Sequence, residues 1–561
     1  MKDRALYSIY IIVFVVLLGI YFIISCLTLL NEQVTTVVRL YNTILLLLEF
    51  IMALILFGTN LGTRASFNEK PLRRETPLLK KHPVVSVIVS IFNEPIRVVK
   101  NTLVALSQLT YPKENLEIFI ADDSTRDYFV NWCQKNCEKL GINYVHRTDR
   151  TNHRVGALNN VIYNHSRGEY IVMLDADNLP KEDAIQKLLY EFDNTDNEKL
   201  AFVQGIFDIT NNNTIAARLS YLVEYAYFTT VIARLNEKGL CVLSGHSCCI
   251  KKSALLEIGG IQGKTFQDDY ETSTVFFANG FEGKRANFHC SSVVAPTTIR
   301  AFLNMYFKWL LGGLSVLRTN FLTILKSKKM QFRQKINLFI GFSSMFMNLF
   351  VVLWAIGLLL LVLFNIPLVR GNLSFLIFSF SSFTLFMAVF IVNGLLNSFG
   401  VYVMYLRRGI MLPRLFTRFF PAHPTTMIHG NTSTLDCILI DTIAPFLLIL
   451  IPFFVFLQYI RVLFGGKPPF FLSEKRENVK LNRSFSSEIS RVLLILLGFI
   501  FLYAAYIIYF TNQILAFSLV SFSLALLLTL PLIVFEFFEN KNKISSDEYD
   551  RLEEQEFDLE D

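Results

Sequence analysis

Residues 5–30 contain no charged side chain, and a run of that length constrains the chain more than any other feature. As a helix rising 1.5 Å per residue it is long enough to cross a hydrocarbon core about 30 Å thick. Similar runs follow at 40–61 (interrupted by Glu49), 338–364, 374–406, 492–510 and 514–535. Residues 68–300, in contrast, carry charges throughout and alternate strand-like with helix-like stretches. The pattern predicts about six transmembrane helices around one soluble domain of ordinary domain size. The first run is too long for a signal-peptide core and lacks a small-residue cleavage site, so it is expected to stay as a helix.

Basic residues set the orientation. Arg64, Lys70, Arg73, Arg74, Lys80, Lys81, Lys326, Lys328, Lys329, Arg407 and Arg408 fall on one side of the expected spans, whereas the opposite loops carry only Arg39 and Arg370. The positive-inside rule then places the amino terminus and the soluble domain in the cytoplasm, the whole being a multi-pass plasma-membrane protein. Residues 442–460 also have spanning length. Crossing would put Lys467, Lys475, Arg476, Lys480 and Arg483 outside, and Pro445 and Pro452 interrupt the run, so it reads as interfacial.

The net charge is +7, but residues 547–561 hold nine acids and one arginine, leaving about +15 on the rest of the chain. That basic surface suits anionic lipid headgroups. It follows the membrane ends and forms no groove-reading element, which excludes nucleic acid as a partner. Six of the eight cysteines lie in the soluble domain; Cys133 and Cys137 have metal-like spacing but no second pair, and read as buried thiols. Glu49 is an intramembrane acid, either facing a polar passage or hydrogen-bonded inside the bundle.

Within the soluble domain, short apolar runs at 84–91, 116–121, 142–146, 170–174 and 201–204 read as strands separated by helices, which implies an α/β fold with a mostly parallel, doubly wound sheet. The fourth run ends in Asp175-Ala176-Asp177, where the carboxyl ends of parallel strands place their chemistry. Two carboxylates at that spacing suit a divalent cation bridging protein to a diphosphate, and also an ordinary turn. The second run ends in Asp122-Asp123. Asp268 and Asp269 stand at a helix start, where acids also serve as caps.

Taken together these motifs resemble the family 2 glycosyltransferases of GT-A fold, in the membrane-integrated branch with cellulose and hyaluronan synthases. The resemblance runs from about Val84 to Lys475. It implies that Asn93 and Glu94 belong to a Tyr-Asn-Glu-like element, here Phe92-Asn93-Glu94, and that Asp122 and Asp123 hold the nucleotide base. Arg154 opens the Lys-Ala-Gly-Ala-Leu-Asn-like element, with arginine for lysine. Asp175 and Asp177 become the ligands of Mg2+ or Mn2+. Gln267-Asp268-Asp269 stands for Thr-Glu-Asp, with Asp269 the general base and Asp268 replacing glutamate. Gly245 and Ser247 lie in the acceptor-lining loop, where His246 is a tempting second base but reads better as a hydrogen-bonding group.

Met305-x-x-Lys308-Trp309 takes the place of the Gln-x-x-Arg-Trp of processive members. Trp309 is an acceptor floor or a membrane anchor, and the changed Gln and Arg weaken any expectation of long-chain processivity. Phe470, Ser473 and Lys475 match a gating loop with lysine near phosphate; the same stretch also reads as a basic linker.

The expected organisation is two transmembrane helices in 1–62, the GT-A domain in 63–300, an amphipathic interface helix in 301–335 and two transmembrane helices in 336–406. Interface helices and the gating-like loop follow in 407–487, then two transmembrane helices in 488–538 and an acidic tail in 539–561. The resemblance implies a nucleotide-diphosphate sugar donor, most simply a UDP-sugar, and a glycan or lipid-linked acceptor. An inactive scaffold is the alternative of another class.

Overall fold

The computed structural model describes residues 2–31, 33–69, 72–210, 227–296 and 298–370, with 216–217, 220, 223–224, 372–375, 378–381, 386, 389, 459–466 and 498–507. Two long helices, α1 (Lys2–Leu29) and α2 (Thr36–Ser66), precede the α/β domain. There β1 (Val85–Ile91), α3 (Ile96–Ser107), β2 (Leu116–Asp122), α4 (Asp127–Leu140), β3 (Asn143–His146), α5 (His153–Asn164) and β4 (Tyr170–Asp175) alternate. They continue into β5 (Leu179–Pro180), α6 (Ala184–Asp193), β6 (Leu200–Ile209), β7 (Cys248–Lys251), α7 (Lys252–Glu257), α8 (Asp268–Ala278) and β8 (Glu282–Val293). Helices α9 (Ile299–Lys326) and α10 (Phe332–Leu363) and a two-stranded ribbon, β9 (Asn372–Phe375) with β10 (Phe378–Ser381), follow.

The eight-stranded sheet has the order β3-β2-β1-β4-β7-β6-β8-β5. Strands β3, β2, β1 and β4 are parallel, but β7 runs antiparallel to both neighbours and β5 antiparallel to β8. The sheet is therefore mixed rather than mostly parallel. The sequence reading missed β5 and β7, which are only two and four residues long, and β8, whose Glu, Lys, Arg, Asn, His and Ser residues obscure any apolar run.

Period-two alternation sorts the strand side chains between two cores. On β1, Val85, Val87, Val89 and Ile91 pack toward α3, α4 and α6, while Ile88 packs toward α5, α7 and α8. On β4, Val172 and Leu174 take the first side, and Ile171 and Met173 the second. Continued by one step, this phase delivers Asp175 to the face covered by α5 and α8.

Three helices among the described residues are long and apolar enough to cross a membrane: Arg4–Leu29, Thr36–Ser66 and Met345–Leu363. The span expected from residue 374 begins instead as the β9–β10 ribbon, where serine alternates with leucine and phenylalanine, a strand-like period. Apart from 386 and 389, the rest of that span lies outside the described residues, as do Lys475, 442–458, 514–535 and both ends of the segment expected at 492–510, of which 498–507 is an apolar helix.

Glu49 is fully buried and fully engaged. Arg370 donates to its two oxygens at 3.1 and 3.2 Å, Trp354 Nε1 donates at 3.0 Å, and the Tyr21 hydroxyl donates as well. Arg370 also reaches Asn42 Oδ1 at 3.0 Å, so α1, α2, α10 and the segment after α10 meet at one charge pair. Side-chain contacts join the α/β domain to the helices. Arg285 of β8 pairs with Glu69 just beyond α2, and Arg73 lies over the Tyr190 ring at 4.8 Å. Arg234 reaches Asn337 of α10 at 3.0 Å and the Gly58 carbonyl of α2 at 3.4 Å.

Candidate active site

The cleft forms where β1, β2 and β4 end. The two acids of Asp122-Asp123 do not share a role there. Asp122 falls in phase with Ile118 and Ile120, under α4, with no exposed surface. Its oxygens accept the Tyr144 hydroxyl at 2.5 Å and the Ser124 amide at 2.8 Å. The first bond stitches β2 to β3, the second closes the turn after β2, and together they leave Asp122 turned away from the cleft. Asp123 falls in phase with Phe119 and Ala121, on the α5 face, and is clasped bidentately by Arg147 at 2.9 and 2.8 Å. Arg147 also donates to the His153 carbonyl at 3.1 Å, tying the start of α5 to the carboxylate.

Asn93 adopts a left-handed φ of 48°, tolerable for asparagine, and is held there by reciprocal bonds to Thr125 at 2.9 and 3.0 Å. Glu94 follows it at the cleft rim, half-buried. Arg150 stacks over the exposed Phe92 ring at 3.9 Å, closing the rim with a cation–π contact.

Across the cleft, Arg154 projects from the first turn of α5. It donates to Asp175 Oδ1 at 2.8 Å, to the Gly245 carbonyl at 2.7 Å, to Ser90 Oγ at 3.2 Å and to Asp268. Burial works against its charge, but Asp268, Asp175 and Asp269 outweigh burial and hold the guanidinium proton more firmly than usual. Asp175 and Asp177 are half-buried at the strand end. Among the described residues no group of three or more His, Cys, Asp or Glu side chains forms a metal cage. Two carboxylates without a third protein ligand fit Mg2+ or Mn2+ that completes its shell with phosphate oxygens and water.

Asp268 and Asp269 open α8, where the helix dipole favours carboxylates. Burial, and then the neighbouring Asp268, push the Asp269 carboxyl up to about 7, against the Tyr270 amide, Arg154 and Lys308. Lys308 is thus within electrostatic reach of the candidate base. It lies on α9 with Met305, Trp309 and Gly312, whose 3-4-7 spacing makes one helix face. Gly312 lets that face approach: a Cβ there would sit 2.4 Å from Gln267 Oε1, one residue before α8.

The loop 243–247 closes the site. Gly245 has a φ of 80°, which favours glycine, and Ser247 is buried with its Oγ 3.1 Å from Asn178 Oδ1. His246 sits 2.9 Å from Asn178 Nδ2 with its ring 4.7 Å from Phe207, a hydrogen-bonded position instead of a free base. Sequence reasoning missed Gln204, whose side chain accepts from the Ser244 amide at 2.8 Å and donates to the His246 carbonyl at 3.0 Å. A glutamine inside the apolar run of β6 was the available signal. Cys133 and Cys137 are buried free thiols, and burial pushes Cys137 up to about 12.

The mixed sheet thus places paired carboxylates at the end of β4 and an elevated carboxyl at the start of α8. Residues 86–259 match the model of Glycosyl transferase family 2, and this stretch is a family 2 glycosyltransferase domain. The chain is 27% identical over 259 residues to a cellulose synthase catalytic subunit (UDP-forming) of Pseudomonas fluorescens, covering 45% of this chain and 34% of that protein. It is 23% identical over 323 residues to a probable glucomannan 4-beta-mannosyltransferase 7 of Oryza sativa subsp. japonica, covering 52% and 54%. The chain thus spans about a third to about half of the length of these two relatives. Among solved structures, a mannosyltransferase of Pyrobaculum calidifontis in complex with GDP-Man and Mn2+ aligns at a TM-score of 0.43 and 17% identity, covering 64% of this chain and 98% of that one.

Proposed function

We propose that the protein is a membrane-embedded inverting glycosyltransferase that moves a sugar from a nucleotide-diphosphate donor, with uridine the first base to test, onto a growing glycan. The observation that carries the reading is Asp269: a carboxyl raised to about 7, beside Asp268 and Arg154 and facing α9. As the acceptor oxygen bonds to the anomeric carbon, Asp269 takes its proton, and the bond to the diphosphate breaks with its electron pair leaving on phosphate. Asp175 and Asp177 would hold a Mg2+ or Mn2+ ion, which supplies charge neutralisation to the leaving diphosphate when bound. Asp123, Asn93 and Glu94 line the nucleotide end, and Gly245, Ser247, Lys308 and Trp309 the acceptor end. Proton transfer by a placed carboxylate contributes about 10²–10⁴-fold.

Elongation coupled to passage through the membrane is the leading form of this reading, supported by the packing of the Trp309 helix between α8 and α10. Met305 and Lys308, in place of Gln and Arg, favour a second form in which one sugar is moved to a lipid-linked acceptor. Purified protein in lipid, a panel of labelled nucleotide sugars and Mn2+ or Mg2+ separates them, with Asp269→Asn alongside. A ladder of long products absent from the variant supports polymer synthesis. A product one sugar larger than an added lipid selects the second form, and equal activity of Asp269→Asn removes Asp269 as base.

A further inference from the structure

Arg154 ties β1, β4, α8 and the 243–247 loop together at once. Its Nε is given to Ser90 on β1, its Nη1 to Asp268 on α8, and its Nη2 to both Asp175 on β4 and the Gly245 carbonyl. The planar fork is what permits this. A lysine ammonium, with donors on a single atom, has no geometry that spans all four groups. An Asp175 oxygen in a charge-assisted bond is withdrawn from metal coordination, and the guanidinium sets a positive charge where a second cation would arrive.

We propose that Arg154 is a latch that couples metal entry to nucleotide entry: without ligand its guanidinium occupies Asp175, and a nucleoside diphosphate draws it away and frees that carboxylate for a divalent ion. The inference rests on the reading of Asp175 and Asp177 as the metal and diphosphate carboxylates. Nη1 can keep Asp268 while a diphosphate offers Nη2 an oxyanion with more charge than the Asp175 carboxylate, so the exchange is favoured only when nucleotide is present. The drawn-off guanidinium stays at the first turn of α5, whose positive end also favours phosphate. Arg154 is in this sense a positioning residue, and the coupling is reciprocal: nucleotide and ion tighten one another by the same factor.

The test measures binding, not turnover. Full-length protein in lipid is titrated with Mn2+, read by the spin-resonance signal of the free ion, alone and with saturating UDP or GDP. Wild type is expected to bind Mn2+ alone at least about tenfold more weakly than with the effective nucleotide, within the usual range for coupled sites. Arg154→Met is expected to bind Mn2+ alone about tenfold more tightly than wild type, while its nucleotide affinity falls. Should that variant fail to fold, Arg154→Lys keeps the charge, and it too should bind Mn2+ alone more tightly than wild type. A role confined to holding the fold would not tighten metal binding. Equal Mn2+ affinity of wild type and both variants without nucleotide overturns the latch alone. Asp177→Asn should lose the ion in every arm; Mn2+ binding unchanged by Asp177→Asn, or absent throughout, overturns the metal reading and the latch with it.

Discussion

A Cβ on Gly245 would lie 3.1 Å from Asp269 Oδ2 and 3.6 Å from its carboxyl carbon. The acceptor-side loop is pressed directly onto the candidate base, and the glycine keeps that contact open. Gly245→Ala adds a methyl there and a left-handed strain of about 1 kcal/mol. The protein should fold, with a small loss of melting temperature. Transfer should fall by about 10- to 100-fold, because misplacement on the scale of an ångström is costly at a reacting centre. Nucleotide affinity, measured separately, should not change. Full transfer by this variant would place the acceptor oxygen elsewhere.

The elevated Asp269 predicts a pH profile. Only the ionised carboxyl accepts a proton, so kcat/KM should climb as pH rises through about 7 and then level. Lys308 lowers the carboxyl's proton affinity, so Lys308→Met should move the rising limb to higher pH and Lys308→Arg should restore it. Ionising Asp269 costs the folded state, so its contribution to stability falls as pH climbs from the ordinary 3.8 toward about 7. A limb that stays in place in Lys308→Met would disconnect α9 from the base.

Asp122 and Asp123 show what could be read from sequence and what could not. That the second strand ends in a carboxylate pair was legible, because an apolar run stops there. Which acid faces the cleft followed only from the register that puts Asp122 with Ile118 and Ile120 under α4. Strands β1, β2 and β4 were legible for the same reason: buried parallel strands are apolar on both faces. Strand β8, EGKRANFHCSSV, was not, since its pairing comes from long β6 through three register shifts and not from its own propensity. Ser90, Arg147 and Gln204 are ordinary polar residues in sequence. Their meaning comes from partners far along the chain, such as Asp123 for Arg147.

Tyr144→Phe tests the structural placement of Asp122. It removes the 2.5 Å donor to a carboxylate with no exposed surface, and the loss should cost about 1–3 kcal/mol of stability. Donor KM at permissive temperature should remain near that of wild type, since the lost bond lies behind the cleft. A large rise in donor KM without loss of stability would return Asp122 to the nucleotide site.

The Glu49–Arg370 pair makes the remaining prediction. Both side chains are buried, and the guanidinium bridges the two carboxylate oxygens at 3.1 and 3.2 Å. Removing one partner strands the other charge, at a cost of about 3–5 kcal/mol. Glu49→Gln and Arg370→Met should therefore each lower the melting temperature in detergent sharply. The double variant, with no charge left to bury, should recover much of the loss and be far from additive. The carboxylate already accepts from Arg370, Trp354 and Tyr21, so it has little capacity left for a passing sugar. Product length made by the stable double variant should match wild type. A Glu49→Gln protein that melts like wild type yet no longer extends its product would instead put this carboxylate on the sugar's path.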